Sequence, residues 1–480
     1  MRRARTILRA AANDPHTLLG RTEITMANYK ELLNSYRNEF LKDLDELLSI
    51  PSVSAEGHEI PEKALEWMLD KAESFGLRTK NIGGIAGHAE WGDGEKLCGV
   101  LTHLDVVPVN RADWSCEPFS LTRKDGRLYG RGVCDDKGPA LAALYCLRAL
   151  KESGQNGNRV RVVFGTSEEI GMEDMETYFE SEPLPELSFT PDSEYGICRA
   201  EKGIMHIEIS SEKANNTSLT QFEAGTANNV VPDSAFAILD CSDYEEHNLQ
   251  RLADAAGAGK FELRFTIDGL KVVSHGKAAH ACEPEKGENA AAALAQIICA
   301  VMGTDAVGDL CTFINYCIGK ETNGLSMGIK MRDAISGELT VTLSRVHITE
   351  REAKAVLDIR YPVSFLEEVV FYQIKKVAAR EGLNVRLLDG EKPLCLDENA
   401  PIVRILKDAY ASVMGEEPKL YTTGGGTYAR MLGGKGVAFG PAFENDDTRI
   451  HNCDESINEE NFFRHCEICL EAMAGMMNSR

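Results

Sequence analysis

The stretch Cys98-Gly-Val-Leu-Thr-His-Leu-Asp105 decides the fold class, because a short apolar run ends directly in a histidine and an acid. Such a run predicts a buried strand, and residues 103 and 105 leave an extended chain on the same face. In sheets flanked by helices, ligands collect at the carboxyl ends of the strands. We therefore expect His103 and Asp105 to lie at such an edge, where one binds a metal ion and the other orients a partner.

The same pattern of a strand followed by acids recurs further along the chain. One strand-like run precedes Glu168 and Glu169, and another precedes Asp192. An alanine- and leucine-rich run over residues 138–151 predicts a helix between the strands. This alternation predicts an α/β fold whose candidate side chains converge on one edge of a sheet.

A glycine-rich segment, residues 130–138, carries two adjacent acids, Asp135 and Asp136. Its glycines permit an irregular turn that presents one carboxylate, Asp135, to two ions at once. Two divalent ions about 3.5–4 Å apart need such a shared carboxylate, one histidine and one carboxylate each, and a free carboxylate as base. With His451 as the second histidine, the chain supplies each part.

Composition and charge set the class of protein. The 480 residues suffice for two or three domains, and 43% hydrophobic with 26% charged residues is ordinary for a globular protein. No apolar run approaches the roughly 18 residues of a spanning helix, and a net charge of -23 disfavours nucleic acid and anionic membranes. Fourteen irregularly spaced cysteines indicate reduced thiols in a cytoplasmic protein. We expect an enzyme that acts on small molecules, with no nucleic-acid or membrane partner.

The first 25 residues differ from the rest, because four arginines precede the first acid, Asp14. We interpret residues 1–25 as a disordered extension or an upstream translation start, and a targeting segment is the alternative. Met26 opens a stretch with helical spacing of apolar residues, so Met1 and Met26 are both candidate start codons.

Longer motifs surround these candidate residues and continue beyond them. They are Thr102-His-Leu-Asp-Val-Val-Pro108, Asp125-Gly-Arg-Leu-Tyr-Gly-Arg-Gly-Val-Cys-Asp-Asp-Lys-Gly138, Gly165-Thr-Ser-Glu-Glu-Ile-Gly171, Gly276-Lys-Ala-Ala-His280, Asp358-Ile-Arg-Tyr-Pro362 and Gly424-Gly-Gly-Thr-Tyr-Ala-Arg430. The first three resemble the co-catalytic zinc peptidase and amidohydrolase family of carnosinases, aminoacylases, glutamate carboxypeptidases and succinyl-diaminopimelate desuccinylase. The last three are most similar to its bacterial dipeptidases of PepV type.

This resemblance implies a metal centre. Asp135 would bridge two divalent ions, zinc in preference, with manganese and cobalt as alternatives. The remaining ligands would be His103 and Asp192 for one ion, and Glu169 and His451 for the other. Glu168 would be the general base, and Asp105 would fix the tautomer of His103.

The resemblance also implies residues that hold the substrate. His280 would donate a hydrogen bond to the oxyanion, with Asn229 beside it, although Asn228 is an adjacent alternative. Arg360 would clamp the substrate carboxylate. The loop Gly424, Gly425 and Gly426 would let backbone amides approach the substrate.

The implied fold is a mixed sheet flanked by helices, with an inserted α+β, ferredoxin-like and enlarged lid domain. The implied boundaries are 26–202 and 391–480 for the catalytic domain and 203–390 for the lid. Because such a lid imitates the second subunit of dimeric relatives, we expect a monomer.

The implied function is metal-dependent hydrolysis of a dipeptide by a hydroxide that bridges the two ions. Two alternatives stay open. An N-acyl amino-acid hydrolase or desuccinylase would use the same site on a different acyl group, and a catalytically inactive relative would only bind peptides.

Overall fold

The computed structural model describes residues 28–212 and 217–480. The extension predicted for residues 1–25 and the two candidate start codons lie outside the described residues. In chain order, the helices are α1 Tyr29–Ser35, α2 Arg37–Leu48, α3 Glu59–Ser74, α4 Lys137–Glu152, α5 Glu173–Ser181, α6 Asp243–Ala256, α7 Ala290–Met302, α8 Thr304–Phe313, α9 Glu367–Arg380, α10 Pro401–Met414 and α11 Glu459–Met477.

The strands fall into two large sheets and three small ones. Up to residue 201 they are β1 Arg78–Ile82, β2 Ala86–Trp91, β3 Leu97–His103, β4 Thr122–Lys124, β5 Arg127–Tyr129, β6 Arg159–Gly165, β7 Leu187–Thr190, β8 Ser193–Glu194 and β9 Ile197–Glu201. They continue with β10 Gly203–Ser211, β11 Leu219–Ala224, β12 Ser234–Leu239, β13 Phe261–Thr266, β14 Gly269–His275, β15 Arg332–Asp333, β16 Gly337–Glu338, β17 Thr340–Ile348, β18 Ala353–Tyr361 and β19 Asn384–Glu391. The last are β20 Leu394–Cys395, β21 Leu420–Thr423, β22 Gly436–Ala438, β23 Pro441–Ala442 and β24 Ser456–Asn458.

The first large sheet is mixed and has the strand order β1-β2-β6-β3-β7-β22-β9-β20, with β21 beside β9. Its central strands β6, β3 and β7 run parallel, so their carboxyl ends meet at one edge. Each of these strands is almost completely buried because helices cover the sheet. The mixed sheet with flanking helices that the sequence predicts is thus confirmed.

Helix α4 shows how the sequence sets this arrangement. Its alanine- and leucine-rich run places apolar residues on nearly all sides, and nearly all of its residues are buried. A helix of this kind must lie between other elements. It packs against β3 and β6 on one side and against α1, α2 and α11 on the other.

The second large sheet has the order β13-β14-β12-β11-β17-β18-β10-β19, and all its neighbouring strands are antiparallel. Its strands lie between Gly203 and Glu391 and share an apolar core with α6 to α9 that is separate from the core of the first sheet. An inserted α+β lid is therefore present, and the boundaries 26–202, 203–390 and 391–480 stay predictions. Within the described part of the chain, no helix has both the length and the apolar character needed to cross a membrane.

Candidate metal centre

Three parallel strands deliver the first group of candidate ligands to one edge of the sheet. His103 is the last residue of β3, Glu168 and Glu169 begin the 3-10 turn after β6, and Asp192 follows β7. One donor atom each from His103, Glu168 and Asp192 lie within 4.8 Å of one another. The same holds for His103, Asp135 and Glu169. The structure therefore brings together the side chains that the strand pattern predicts to converge.

Asp135 lies between the two candidate histidines. Its Oδ1 is 3.0 Å from Nε2 of His103, and its Oδ2 is 2.9 Å from Nε2 of His451. Each imidazole also faces a second carboxylate: His103 Nε2 is 3.9 Å from Asp192 Oδ2, and His451 Nε2 is 3.2 Å from Glu169 Oε2. The five side chains thus form two similar sets that share one carboxylate.

The segment that carries His451 has an unusual backbone. Arg449, His451 and Asp454 all have left-handed backbone conformations, with φ of 53°, 62° and 57°. Non-glycine residues adopt this conformation rarely, and residues with such strained backbones cluster at functional sites. The His451 side chain is 49% exposed, in contrast to the buried His103, so the site opens to solvent on the His451 side.

Asp105 contacts the backbone of both glutamates and the ring of His103. Its carboxylate accepts hydrogen bonds from the backbone N–H groups of Glu168 (3.1 Å) and Glu169 (3.2 Å). Its backbone carbonyl lies 3.0 Å from Nδ1 of His103, whereas its nearer carboxylate oxygen is 3.4 Å away. Asp105 therefore contacts His103 mainly through the main chain, while its side chain holds the turn with both glutamates.

Sequence reasoning missed Glu455. Its buried carboxylate accepts hydrogen bonds from Arg131 Nη1 (2.7 Å) and from the backbone N–H groups of Gly132 (3.0 Å), Cys134 (2.9 Å) and Asp135 (3.2 Å). These bonds fix the irregular turn that presents Asp135. An acidic residue in a polar segment normally lies on the surface in contact with water. Its position four residues after His451 was therefore the only feature of the sequence that could have indicated a role for Glu455 at the site.

Asp174 and Tyr428 were missed as well. The buried carboxylate of Asp174 accepts hydrogen bonds from the N–H groups of Thr166 (2.6 Å) and Ser167 (2.9 Å) and from the Tyr428 hydroxyl. The Tyr428 ring meets the His103 imidazole edge-on, with centroids 6.2 Å apart. Tyr428 thus contacts a proposed ligand, and Asp174 fixes the backbone of residues 166 and 167, which directly precede Glu168.

Burial governs the electrostatics of the acids. It raises the pKa of Glu168 well above its usual value, with the charge of Asp192 as the next cause. It also raises the pKa of Glu169 and, to about 7, that of Asp192, and in both cases the next cause is the charge of Asp135. Burial would raise the pKa of Asp135 too, but hydrogen bonds from both histidines lower it. Divalent cations would relieve this repulsion, and the mixed nitrogen and oxygen donors suit Zn²⁺, Mn²⁺ or Co²⁺.

In the lid, His280 has a defined hydrogen-bond arrangement. Its Nδ1 accepts a hydrogen bond from the backbone N–H of Cys282 (3.2 Å), and the Cys282 Sγ lies 2.9 Å from the same nitrogen. Because Nδ1 is an acceptor, the proton of the neutral ring is on Nε2. Burial, followed by the charge of Arg360, lowers the pKa of His280, which favours this neutral form.

The asparagines lie next to this segment. The backbone carbonyl of Asn229 accepts a hydrogen bond from the N–H of Ala281 (2.8 Å), and its side chain is exposed. Asn228 Oδ1 is buried and has no hydrogen-bond partner among the described residues. The choice between Asn228 and Asn229 stays open.

Arg360 is 3% exposed and is held firmly. Its Nε and Nη2 donate to the two oxygens of Asp358 (2.7 and 2.6 Å), and its Nη1 donates to the Gly424 carbonyl (2.9 Å). A guanidinium has five N–H bonds, so two remain for another partner. The lid sheet and the glycine loop of the first domain therefore meet at this side chain.

The three glycines of that loop differ in the space around them. A Cβ on Gly424 would lie 2.8 Å from the Cβ of Cys282, and one on Gly426 would lie 2.9 Å from Nε of Arg430. A Cβ on Gly425 would meet nothing closer than 3.4 Å. Close approach of the lid thus requires glycine at position 424, and position 425 tolerates a side chain.

Comparisons with known proteins agree with this architecture. The family described as peptidase family M20/M25/M40 matches residues 99–475. A Bacillus subtilis protein named "Putative dipeptidase YtjP" is 32% identical over 457 residues, which cover 91% of this chain and 97% of the relative.

Two solved structures share the fold. Human carnosine dipeptidase 1 has a TM-score of 0.60 at 17% identity and is matched over 95% of this chain and 99% of its own. The Bacillus subtilis protein YXEP, described as a dinuclear metal binding peptidase, has a TM-score of 0.52 at 11% identity, over 93% of this chain and 100% of its own. From the family match and the YtjP relative together, the chain is an enzyme that belongs to the peptidase family M20/M25/M40.

Proposed function

We propose that this protein is a metal-dependent dipeptidase that hydrolyses the amide bond of short peptides with a free carboxyl terminus. The observation that carries the proposal is the position of Asp135, whose two oxygens face the imidazoles of His103 and His451 at 3.0 and 2.9 Å. The name of the YtjP relative and the description of YXEP as a dinuclear metal binding peptidase support it.

Two divalent ions fit the donor atoms of this site. His103 and Asp192 would hold one ion, Glu169 and His451 the other, and Asp135 would contact both. Zinc is our first choice, and the same donors would accept manganese or cobalt. When bound, the ions supply Lewis acidity, which polarises the scissile carbonyl and lowers the pKa of the attacking water.

Glu168 is the proposed general base. It lies beside the ligands His103 and Asp192, and its raised pKa favours uptake of a proton from the attacking water. The protonated carboxyl then delivers this proton to the leaving amine. Asp105 holds the backbone of Glu168, so the carboxylate keeps its position during both transfers.

The lid supplies the proposed contacts to substrate. His280 donates from Nε2–H to the oxyanion that develops on the scissile carbonyl, with Asn229 or Asn228 beside it. Arg360 binds the substrate carboxylate through its two free N–H bonds, in the single orientation that Asp358 allows. The backbone of the loop 424–426 lines the same space. A carboxylate bound so close to the reacting bond limits the substrate to short peptides.

The test is hydrolysis of a matched set of peptides by metal-loaded protein, with and without chelator. The set contains a dipeptide, its N-acetylated form and the tripeptide extended at the carboxyl end. We expect chelator-sensitive cleavage of the dipeptide alone. Cleavage of the acetylated form instead would support an N-acyl amino-acid hydrolase, and cleavage of none would support an inactive peptide-binding relative.

A substitution of Arg360 distinguishes binding of the substrate carboxylate from hydrolysis of the amide bond. Arg360→Lys keeps a positive charge but loses the planar fork, so KM for the dipeptide should rise about tenfold or more. For the dipeptide amide, which has no carboxylate, Arg360→Lys and wild type should differ little. An equal loss on both substrates would show that Arg360 acts in another way.

We also propose that the protein is a monomer. Its lid contains an eight-stranded sheet, and a lid of this size can cover the site of its own chain without a second subunit. Light scattering of the metal-loaded protein tests this. An obligate dimer would contradict it.

A further inference from the structure

A cavity of about 570 Å³ lies within the lid, away from the proposed metal centre. It is lined by residues of α6, α7, β14 and β17 and by five residues of the segment 276–289, which carries His280. No candidate metal ligand and no candidate substrate-binding residue is part of its wall. Its volume is in the range of about 300–1,000 Å³ that is usual for small-molecule sites.

Most of the wall is apolar. Val231, Ile297 and Val341 are buried from solvent but face this space, and Phe261 and Leu252 are half-buried beside it. An apolar wall of this size favours a ligand with an apolar body, since such a body gains free energy when it leaves water.

One polar group in the wall has no partner. The Ser274 side chain is completely buried, and its hydroxyl forms no hydrogen bond within the described residues. Buried hydroxyls are nearly always hydrogen-bonded, so an unpaired one that faces a cavity indicates a missing polar partner.

The cavity wall carries two lysines and two glutamates, so its formal charges balance. Lys260 and Lys320 belong to the wall, and Glu288 between them is paired with Lys260. The hydrogen bond from Lys260, and then the charges of Lys260, Lys277 and Lys320, lower the pKa of Glu288. Glu321, the other acid in the wall, accepts hydrogen bonds from a neighbouring serine. Lys320 is exposed and has no ion-pair partner in the described part of the chain, although the whole protein has a net charge of -23.

We propose that this cavity binds a small carboxylate carried on an apolar body, with the carboxylate at Lys320 and the body against the apolar wall. The Ser274 hydroxyl then gains a polar partner from the ligand or from a water that enters with it. Two sources share this chemistry, namely free apolar amino acids and short aliphatic acids. This binding site is independent of the metal centre.

Calorimetric titration of the metal-loaded protein with leucine, phenylalanine, hexanoate and octanoate tests the proposal, and leucinamide and hexanamide serve as ligands without a carboxylate. We expect saturable binding of at least one acid and at least tenfold weaker binding of its amide. Binding of the amino acids alone or of the aliphatic acids alone would identify the source. Absence of saturable binding by all four acids would overturn the proposal.

Variants show whether a bound acid occupies this cavity. Lys320→Ala should weaken binding about tenfold, whereas Lys330→Ala, an exposed lysine outside the wall, should leave it unchanged. Ala293→Leu adds bulk on α7 inside the cavity and should abolish binding while the fold is kept. Arg360→Ala should have no effect. A loss with Arg360→Ala and none with Lys320→Ala would locate the ligand in the catalytic cleft and overturn the proposal.

Discussion

Replacement of Glu455 by alanine tests the architecture of the site most directly. Four hydrogen bonds end on this carboxylate, one from the Arg131 guanidinium and three from the backbone around Asp135. The side chains of both partners are almost completely buried, at 3% and 0% exposure. The substitution leaves the Arg131 charge without its partner and three N–H groups without an acceptor.

The expected loss follows from this burial. Removing one partner of a buried ion pair costs about 3–5 kcal/mol, because the remaining charge is uncompensated. Each buried N–H group that loses its acceptor adds about 1–3 kcal/mol unless water replaces the carboxylate. We therefore expect the free energy of unfolding of metal-free Glu455→Ala protein to fall by at least about 3 kcal/mol. Metal retention should fall too, because the turn that presents Asp135 loses its support.

The chain contains a matched control. Glu459 also pairs with an arginine, through Arg123 Nη2 at 2.6 Å and Nε at 3.1 Å, but the Arg123 side chain is 55% exposed. Glu459→Ala should therefore cost less than about 1 kcal/mol and leave metal binding unchanged. Urea unfolding of the metal-free proteins and metal analysis after dialysis measure both effects. Equal stability and equal metal content of the two variants would refute the role given to Glu455.

Three further predictions concern the site itself. Glu168→Ala should keep both metal ions and lose nearly all turnover, whereas Asp135→Ala should lose metal as well; metal loss by the first variant would make Glu168 a ligand. Gly424→Ala should lower kcat/KM about tenfold or more, since its Cβ would lie 2.8 Å from that of Cys282, and Gly425→Ala should stay near wild type. Chelation should lower the midpoint of thermal unfolding, because ions that bind the folded chain stabilise it by mass action; an unchanged midpoint would contradict a folded-state metal site.

The sequence predicted the edge of the first sheet well, for a physical reason. Apolar runs of strand length that end in acids or histidine reveal both the strand and the side chains at its end. The edge that carries His103, Glu168 and Asp192 could therefore be predicted from local patterns. His451 lies in an irregular segment with a left-handed backbone and follows no strand-like run. The sequence therefore offered it only as the second histidine that two ions require, and the resemblance to a known family gave it its place among the ligands.

The supporting residues could not be predicted, because their roles depend on contacts between distant parts of the chain. Glu455 contacts residues more than 300 positions earlier, and Tyr428 contacts Asp174 across 254 positions. Periodicity carries no information about such pairs. The contacts of Asp105 with the two glutamate N–H groups also join separate segments, and its backbone carbonyl is the nearer partner of His103. The role of Asp105 in fixing the tautomer of His103 stays a prediction.

These long-range contacts explain how ligands from separate segments are kept in register. Arg131, which binds Glu455, also donates from Nη2 to the carbonyl of Asn452 (3.1 Å), the residue after His451. One ion pair thus ties the turn of Asp135 to the segment of His451, and the two imidazoles can face the two oxygens of Asp135 only while both segments are held. A chain that kept all five proposed ligands but lost this pair would still carry the motifs, yet Asp135 and His451 would no longer be held in a common arrangement. Preservation of the ligands alone is therefore insufficient to predict a working centre, and the Arg131–Glu455 pair has to be counted with them.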